Sequence, residues 1–250
     1  MSFEVAMHQL GGYTLHLNWN DLQLGRGESI ADTARTLSGY VDGIMARVVD
    51  HATLEELAKY STVPVINGLS NLHHPLQILA DLMTAWEKKG PLEGRTLAYI
   101  GDGNNVCNSL LIGCSKMGVN IIVACPKEYE PNPEFLRRAK TNAETSGSTV
   151  DVIRSPRGAV AHADVVYTDV FASMGQETEK EERLKVFMPE YQVNSELMQL
   201  APSKAMFMHP LPCHRGEEVA AEVIDGPQSV VWAQAENRLH ATKSVLSFLL

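Results

Sequence analysis

The apolar residues of this sequence switch repeatedly between a helical period and the short continuous runs that are typical of buried strands. The strand-like runs include VPVING and NIIVACP, and the amphipathic helices that follow them are HPLQILADLMTAWEKKG and NPEFLRRAKTNAETSG. Strands that alternate with helices of about ten or more residues predict βαβ units. We therefore expect an α/β fold with mainly parallel sheets flanked by helices.

A junction at Lys88-Lys89-Gly90-Pro91 divides the predicted elements into two α/β domains. Lysines and a glycine end the helix that precedes the junction, as the helix dipole and the C-cap favour. The first domain is predicted to span residues 1–89, and a C-terminal helix at 236–250 returns to it. The second domain is predicted to span residues 90–235.

Two further segments have the pattern of strands, YTLHL at residues 13–17 and SVVWAQA at residues 229–235. The last helix is then expected to begin at ENRLH, which places Arg238 in its first turn. A cation is unfavourable near a helix N-terminus, so an anionic partner at Arg238 is one interpretation. A plain surface arginine is the other.

Charge and cysteine usage restrict the possible partners and compartment. Lysine and arginine number 21 against 30 aspartates and glutamates, so the formal net charge is −9 and nucleic acid is not expected to bind. No apolar run approaches the roughly 20 residues of a membrane span, and the first residues lack the pattern of a secretory signal. The 4 cysteines contain no C-x-x-C pair, which is typical of a reducing compartment. These features predict a cytoplasmic protein without membrane contact.

Ligands of parallel sheets bind beyond the carboxyl ends of strands, so the polar segments there are the candidate site. The segment GDGNN, Gly101 to Asn105, suggests a dinucleotide loop because two glycines follow a strand. However, Val106 occupies the third glycine position, and the next strand ends without an acidic residue to hold a ribose. The alternative is a tight turn that caps a helix with asparagine.

The segment HHPLQ, His73 to Gln77, begins a helix with Pro75 in its first turn, where no amide donor is needed. His74 and Gln77 then present hydrogen-bond donors at the positive end of the helix. That arrangement suits an anionic or carbonyl-bearing ligand. A capping or surface histidine explains the pattern equally well.

A third segment, TDVFASMGQE, places Asp169 after a strand and a small, flexible Ser173-Met174-Gly175 stretch beyond it. A carboxylate and a hydroxyl in one loop suit the amino groups of an amino acid. A surface loop is the alternative, and spacing alone favours it.

The segment HPLPCHRGEEV contains His209, Cys213 and His214, which are candidate metal ligands. Two of the three are adjacent and cannot aim at one ion without strain, and zinc sites show clearer spacing, so we predict no metal. Pro210 and Pro212 fix the backbone after a strand and could hold main-chain groups toward a ligand.

Taken in order, eight segments resemble the ornithine carbamoyltransferases: ESIADTAR, ARV, NGLSNLHHPLQILAD, GDGNN, YTDVFASMGQE, EYQVNS, HPLP and QAENRLHATK. The resemblance covers essentially the whole chain. The HPLQ helix is shared with aspartate carbamoyltransferases, whereas Ser173-Met174-Gly175 is characteristic of the ornithine branch. The resemblance implies transfer of a carbamoyl group from carbamoyl phosphate to the δ-amino group of L-ornithine, which gives L-citrulline and phosphate. It also implies no metal or organic cofactor, and assembly as a homotrimer or a multiple of trimers.

The same resemblance assigns roles to single residues. Arg47 and His74 are expected to polarise the carbamoyl carbonyl, and Gln77 to hold the carbamoyl amide. The further carbamoyl phosphate contacts are Arg238, Pro210, the main chain at Leu211, and Gln23, whose equivalent in the family comes from a neighbouring subunit. The ornithine contacts are Asn105, Asp169, Ser173 and Met174, with Asp169 on an amino group and in a catalytic role.

The sequence departs from the family pattern in two places. The family's Ser-Thr-Arg-Thr-Arg phosphate loop is expected immediately before Met1, so the first domain is expected to be partial at its N-terminus. Pro210 occupies a position where ornithine enzymes usually carry cysteine, and HPLP is the spelling of the aspartate branch. Two alternative functions follow. One is an impaired homologue that binds only an amino acid, and the other is carbamoyl transfer to aspartate.

Overall fold

The computed structural model describes residues 1–18, 27–173 and 175–250. The chain forms two compact units, one of Met1–Leu76 with Arg238–Leu250 and one of Gln77–Asn237. Each unit contains a parallel sheet flanked by helices, which confirms the predicted α/β fold. Within the described ranges, none of the helices has the length and apolar character that a membrane span requires.

The first unit is built around a 2-stranded sheet. Its elements before the long helix at Pro75 are α1 (Ser2–Gln9), α2 (Ile30–Ser38), β1 (Ile44–Arg47), α3 (His51–Tyr60) and β2 (Val65–Leu69). Strands β1 and β2 are parallel, with Ile44 opposite Val65 and a register shift between Ala46 and Arg47. The shift ends regular pairing at the carboxyl end of β1, where Arg47 lies.

The helices of this unit begin at side-chain caps. The Ser29 hydroxyl accepts a hydrogen bond from Asp32 N at 3.1 Å ahead of α2. The Asp50 carboxylate accepts one from Ala52 N at 3.0 Å ahead of α3. Each cap satisfies an amide that the helix itself leaves without a partner. A small apolar cluster forms the core of the unit, consisting of Ala6, Ile66, Leu76 and Leu246.

Helix α4 (Pro75–Lys89) begins at the end of the first unit and continues into the second. The remaining elements are β3 (Thr96–Ile100), α5 (Asn105–Lys116), β4 (Asn120–Ala124), α6 (Pro133–Ser146), β5 (Val150–Ile153), α7 (Pro156–Val160), β6 (Val165–Thr168), a 3-10 turn (Glu177–Glu179), α8 (Lys180–Phe187), α9 (Ser195–Leu200), β7 (Met206–Met208), α10 (Ala221–Ile224) and α11 (Val231–Leu249). Helix α11 begins in the second unit and ends in the first.

The second unit contains a 5-stranded parallel sheet in the order β5-β4-β3-β6-β7. The chain builds outward from β3 in one direction through β4 and β5, and then in the other direction through β6 and β7. The order therefore reverses between β3 and β6. A crevice forms at such a reversal because the loops that follow the two strands diverge, and ligands bind there. The loops concerned are GDGNN after β3 and TDVFASMGQE after β6.

The predicted strand at residues 13–17 is wrong, because these residues form neither a helix nor a strand. Tyr13, Leu15 and Leu17 are 83%, 59% and 47% exposed. Their alternation resembles a strand pattern, but no strand in the described part of the chain pairs with this segment. Without a neighbour to supply hydrogen bonds, the alternation alone does not form a strand.

The predicted strand at residues 229–235 is also wrong, since most of it forms the first turns of α11. Val231 and Gln234 are fully buried at helical spacing, so this apolar run covers a core with a helix. Arg238 consequently lies about two turns into α11 and not in its first turn. The helix dipole therefore gives no reason to expect an anionic partner there.

Candidate active site

Three of the residues assigned to carbamoyl phosphate, Arg47, His74 and Arg238, interact electrostatically within the first unit. His74 immediately precedes α4 and is 7% exposed. Burial, together with the positive charges of Arg238 and Arg47, lowers the pKa of the His74 imidazole to about 3. The imidazole is therefore neutral at physiological pH, while both guanidinium groups remain charged. The cluster suits an anionic ligand that carries a carbonyl group.

Backbone packing explains Gly103 of GDGNN. A Cβ atom on Gly103 would lie 2.3 Å from Pro131 N and 2.4 Å from the carbonyl carbon of Glu130, so no side chain fits there. Gly103 N also donates to Tyr129 O at 2.9 Å. This close approach of two backbone segments accounts for the glycine without a dinucleotide.

Asn104 connects the two loops at the strand-order reversal. Its Oδ1 accepts hydrogen bonds from Val106 N and Cys107 N, both at 3.0 Å, and caps α5. With Oδ1 occupied in this way, the amide orientation is fixed and Nδ2 points across the crevice. Nδ2 donates to Asp169 Oδ2 at 2.7 Å and to Ser173 Oγ at 3.2 Å. The cap predicted from sequence is therefore also a positioning group for two candidate ornithine contacts.

Asp169 follows β6 and is 7% exposed. Burial raises the pKa of its carboxyl group. The nearby His209, the Asn104 amide and the Val170 N–H oppose that rise, and the negative charge of Glu218 adds to it. A partly desolvated carboxylate that is held by directed donors is well suited to bind an ammonium group.

His209 and Glu218 form a fully buried pair behind this loop, and each is 0% exposed. Leu211 N donates to His209 Nδ1 at 2.9 Å, so the ring proton lies on Nε2, which is 3.2 Å from Glu218 Oε1. Burial works against the charge of Glu218, but hydrogen bonds from His209 and His214 N hold the pKa of this carboxyl below its usual value. The pair fixes the backbone that leaves β7.

The backbone after β7 adopts an unusual conformation at Leu211, whose φ is +56°. A side chain in this left-handed region is strained, and neighbouring contacts must hold it there. Because the Leu211 N–H is donated to His209, its carbonyl oxygen is the main-chain group that could face a ligand. The adjacent Pro210 has no N–H to donate.

Arg183 of α8 contacts both loops at the strand-order reversal. Its guanidinium pairs with the Asp102 carboxylate in GDGNN and donates through Nε to Phe171 O at 2.5 Å, and it lies over the Tyr129 ring at 4.9 Å. Arg183 and Asp102 are only 6% and 7% exposed. Burial raises the pKa of Asp102 to about 6, although Arg183 acts in the opposite direction.

Gln77 of α4 belongs to a buried hydrogen-bond network in the second unit. Its Nε2 donates to Asp81 Oδ1 at 2.8 Å, and Gln234 Nε2 donates to the same oxygen at 2.7 Å. Tyr167 OH donates to Asp81 Oδ2 at 2.8 Å. Gln234 Oε1 in turn accepts from His209 N at 2.9 Å. The network therefore connects a predicted carbamoyl contact with the end of β7.

One group in the described residues has approximate metal-ligand spacing, namely His214, Glu217 and Glu218, whose candidate ligand atoms lie within 4.8 Å of one another. Glu217 is paired with Lys180 at 2.8 Å, and Glu218 accepts from His209 and from His214 N. These charges already have partners within the protein. The group differs from the set His209, Cys213 and His214 that the sequence suggested.

The predicted residues thus fall into separate clusters. Arg47, His74 and Arg238 interact in the first unit. Asp169 and Ser173 share Asn104 in the second unit, whereas Asn105 Oδ1 accepts from its neighbour Val106 N at 3.0 Å. Gln23 and Met174 lie outside the described residues.

Several site residues were not predicted from the sequence. Asn104 had a visible signal, because an asparagine before a helix is a cap. Arg183 had none, because Asp102 lies 81 positions away in the chain. Asp81 has Gln77 as a local partner, but its other partners, Tyr167 and Gln234, lie 86 and 153 positions away.

Two protein-family models match consecutive segments of the chain. Residues 1–87 match "Aspartate/ornithine carbamoyltransferase, carbamoyl-P binding domain", and residues 93–249 match "Aspartate/ornithine carbamoyltransferase, Asp/Orn binding domain". Together they cover almost the whole chain.

Individual relatives and solved structures agree with these matches. The chain is 59% identical to an ornithine carbamoyltransferase of Pyrococcus horikoshii over 100% of its own length and 78% of the relative. It is 57% identical to the Bacillus subtilis ornithine carbamoyltransferase, again over 100% of the chain and 78% of the relative. The structure of the Pyrococcus furiosus ornithine carbamoyltransferase superposes with a TM-score of 0.96 at 59% identity, covering 99% of this chain and 79% of that one. The anabolic enzyme of Campylobacter jejuni gives 0.94 at 42% identity, covering 100% and 82%.

Proposed function

The chain belongs to the aspartate/ornithine carbamoyltransferase family, and we propose that it transfers the carbamoyl group of carbamoyl phosphate to the δ-amino group of L-ornithine. The amine nitrogen forms a bond to the carbamoyl carbon, the bond from that carbon to the phosphate oxygen breaks, and the amine loses a proton. The products are L-citrulline and phosphate. The synthetic direction is supported by relatives that are named anabolic.

Carbamoyl phosphate is the ligand we assign to the cluster of His74, Arg47 and Arg238. Attack on the carbamoyl carbon builds negative charge on its oxygen, and donors aimed at that oxygen stabilise the transition state. A neutral imidazole can donate a hydrogen bond to the oxygen through its ring N–H, and the low pKa keeps His74 in this neutral form at physiological pH. The two guanidinium groups supply the positive charge that the phosphate and the developing oxyanion need.

Ornithine is the ligand we assign to the loops at the strand-order reversal. The observation that carries this assignment is the buried Asp169 carboxylate, which accepts a hydrogen bond from Asn104 Nδ2 at 2.7 Å. The same Nδ2 also donates to Ser173 Oγ. The negative charge of Glu218 acts on the Asp169 carboxylate, and a cationic acceptor is favoured because it is attracted to both negative charges. The same charges would repel the side chain of aspartate. This charge pattern supports ornithine over the aspartate that the HPLP spelling suggested.

We propose the remaining ligand contacts by their resemblance to the family. Gln77 and the main-chain carbonyl of Leu211 are assigned to the carbamoyl amide. Asn105 and Met174 are assigned to ornithine. Gln23 is assigned to carbamoyl phosphate of a neighbouring subunit, and this assignment implies a homotrimer or a multiple of trimers. We propose that this assembly works in the cytoplasm, and light scattering of the purified chain tests the oligomer.

The activity is tested by incubating the purified chain with carbamoyl phosphate and either L-ornithine or L-aspartate. We expect citrulline and no carbamoyl-aspartate. Asp169→Asn should lower kcat/KM for ornithine by about 100-fold or more, because a neutral amide cannot attract the ammonium group or receive its proton. Asp225→Asn is the matched control, since Asp225 is an exposed carboxylate of the same unit that pairs with Arg215. Carbamoyl-aspartate as the main product, or full activity of Asp169→Asn, would contradict the assignment.

A further inference from the structure

The segment EYQVNS, residues 190–195, belongs to the resemblance, but no ligand contact has been assigned to it. Tyr191 anchors one end, since its side chain is 5% exposed and its hydroxyl donates to a main-chain carbonyl at 2.8 Å. Asn194 anchors the other end as the N-cap of α9. The two residues between these anchors contact the loop of residues 213–219, which follows the turn at the end of β7.

Gln192 and Val193 bind three successive carbonyl groups of this loop. Gln192 Nε2 donates to Gly216 O at 2.9 Å and to Glu217 O at 3.0 Å. Val193 N donates to Glu218 O at 2.9 Å. The chain turns at Gly216, whose φ is +91°. Because the side-chain amide of Gln192 has two N–H bonds, it fixes two neighbouring peptide groups at this turn. These bonds hold the main chain that carries the Glu218 side chain.

The Glu218 carboxylate is the group whose place depends on this loop. Its side chain is 0% exposed, and its Oε1 accepts from His209 Nε2 at 3.2 Å and from His214 N at 2.6 Å. Its negative charge acts on Asp169, the carboxylate that we assign to the ammonium group of ornithine. A buried charge acts strongly on its neighbours, whereas water screens a charge that becomes exposed. The electrostatic effect of Glu218 therefore requires that the loop keep its conformation.

We propose that Gln192 is a positioning residue for the ornithine acceptor, because its amide fixes the loop that keeps the Glu218 carboxylate buried, where its charge acts together with that of Asp169. The inference rests on the proposed function, in which Asp169 binds the ammonium group. Gly216 is exposed, so water can reach its carbonyl group when the donor is removed. A variant of Gln192 is therefore expected to fold, and its effect is expected on the position of the loop.

The first experiment compares two identical substitutions. Gln192→Met keeps the length of the side chain and removes both donors, and Gln199→Met is the matched control at an exposed glutamine of α9. The KM for ornithine should rise about three- to tenfold in Gln192→Met, the value of one or two neutral hydrogen bonds, and stay unchanged in Gln199→Met. A purely structural role predicts less active protein, hence a lower kcat at an unchanged KM. An unchanged KM in Gln192→Met would overturn the proposal.

The second experiment measures hydrogen exchange at three main-chain amides. His214 N donates to Glu218 Oε1, and Leu211 N donates to the His209 ring that Glu218 holds. Ala220 N donates to the main chain of the 190–195 segment at 3.0 Å and serves as the internal control. In Gln192→Met the first two amides should exchange about tenfold faster, and Ala220 should exchange as in the wild-type chain. An equal increase at all three amides would mean a general loss of stability, and no increase would mean that Glu218 is held without Gln192. Either result would overturn the proposal.

Failure of the proposed function gives a different result. A wild-type chain that makes no citrulline from L-ornithine would overturn the proposed function, and the role of Gln192 in acceptor binding with it. A wild-type chain that makes citrulline, combined with an unchanged KM in Gln192→Met, would overturn the role of Gln192 alone.

Discussion

The two units differ in how their buried ionisable groups are stabilised. In the first unit, burial and two neighbouring arginines lower the pKa of His74 to about 3, so the buried group loses its charge. In the second unit, Asp102 is buried with Arg183 as its ion-pair partner, and Asp169 is buried with Asn104 and Val170 N–H as donors. One cluster is made of cations around a neutral base, and the other is made of carboxylates with directed partners. Each cluster therefore attracts a ligand of the opposite charge, an anion in the first unit and a cation in the second.

The same difference between the units predicts different effects of substitutions on stability and on activity. A buried charge that depends on one partner becomes costly when that partner is removed. A buried neutral group that serves a ligand can be removed with little loss of stability, but activity then falls. We therefore expect the second unit to be the more sensitive in stability and the first to be the more sensitive in chemistry.

Removal of Arg183 should give the largest change in stability. Arg183→Gln leaves the Asp102 carboxylate buried without its counter-charge, and breaking such a pair costs about 3–5 kcal/mol. The loss should be smaller at pH 5 than at pH 8, because burial raises the pKa of Asp102 to about 6 and the group can take up a proton at the lower pH. Urea unfolding at the two pH values measures both effects.

The control for this prediction is Arg137→Gln, which removes an exposed arginine that pairs with Glu134 on α6. No resolvable change in stability is expected from it, since exposed ion pairs contribute little. Equal effects of the two substitutions would remove the distinction that the comparison draws for the second unit.

Replacement of His74 should change activity more than stability. His74→Ala removes a donor that we assign to the carbamoyl oxygen, and loss of one such donor lowers kcat by about 100- to 1,000-fold. The rate of the wild-type chain should show no acid limb from His74 near pH 6.5, because its imidazole stays neutral down to about pH 3. His8→Ala, an exposed histidine of α1, is the control and should retain full activity.

These expectations show which parts of the molecule could be predicted from the sequence. Periodicity located β2, α4 and β6, because each packs on one core with a regular pattern. It failed at residues 13–17, where no partner strand exists in the described residues, and at residues 229–235, where a buried run belongs to a helix. Apolar runs of that length fit either structure, and only their packing partners decide between them.

The same limit applies to the site. Asp169 and Ser173 were predicted because a resemblance named them, and the Asn104 amide that joins them was visible only as a helix cap. The pairs Arg183 with Asp102 and Gln234 with Asp81 leave no local signal, because their members are 81 and 153 positions apart. Sequence patterns report local geometry, and these contacts depend on how the sheet is wound.

A smaller effect follows from the low pKa of His74. The unfolded chain binds a proton near pH 6.5, but the folded chain does so only near pH 3, so the unfolded state gains more protons as the pH falls. The contribution of His74 to stability is complete above about pH 6.5 and is lost progressively toward pH 3. From pH 7 to pH 5.5 the free energy of unfolding should fall by about 1 kcal/mol more in the wild-type chain than in His74→Gln. A difference of opposite sign in urea titrations would mean that His74 is charged in the folded state.

The smallest effect is expected at Ser173, and it sharpens the description of the second unit. Asn104 Nδ2 donates to both Asp169 and Ser173, and the bond to the hydroxyl is the longer one, at 3.2 Å against 2.7 Å. Ser173→Ala leaves the shorter bond in place, so KM for ornithine should rise only about two- to fivefold, the value of one neutral hydrogen bond. Ser195→Ala, at the start of α9, should leave KM unchanged. If Ser173→Ala were as damaging as Asp169→Asn, the hydroxyl and not the carboxylate would be the main contact of the acceptor. The cationic selectivity assigned to this unit would then need another source.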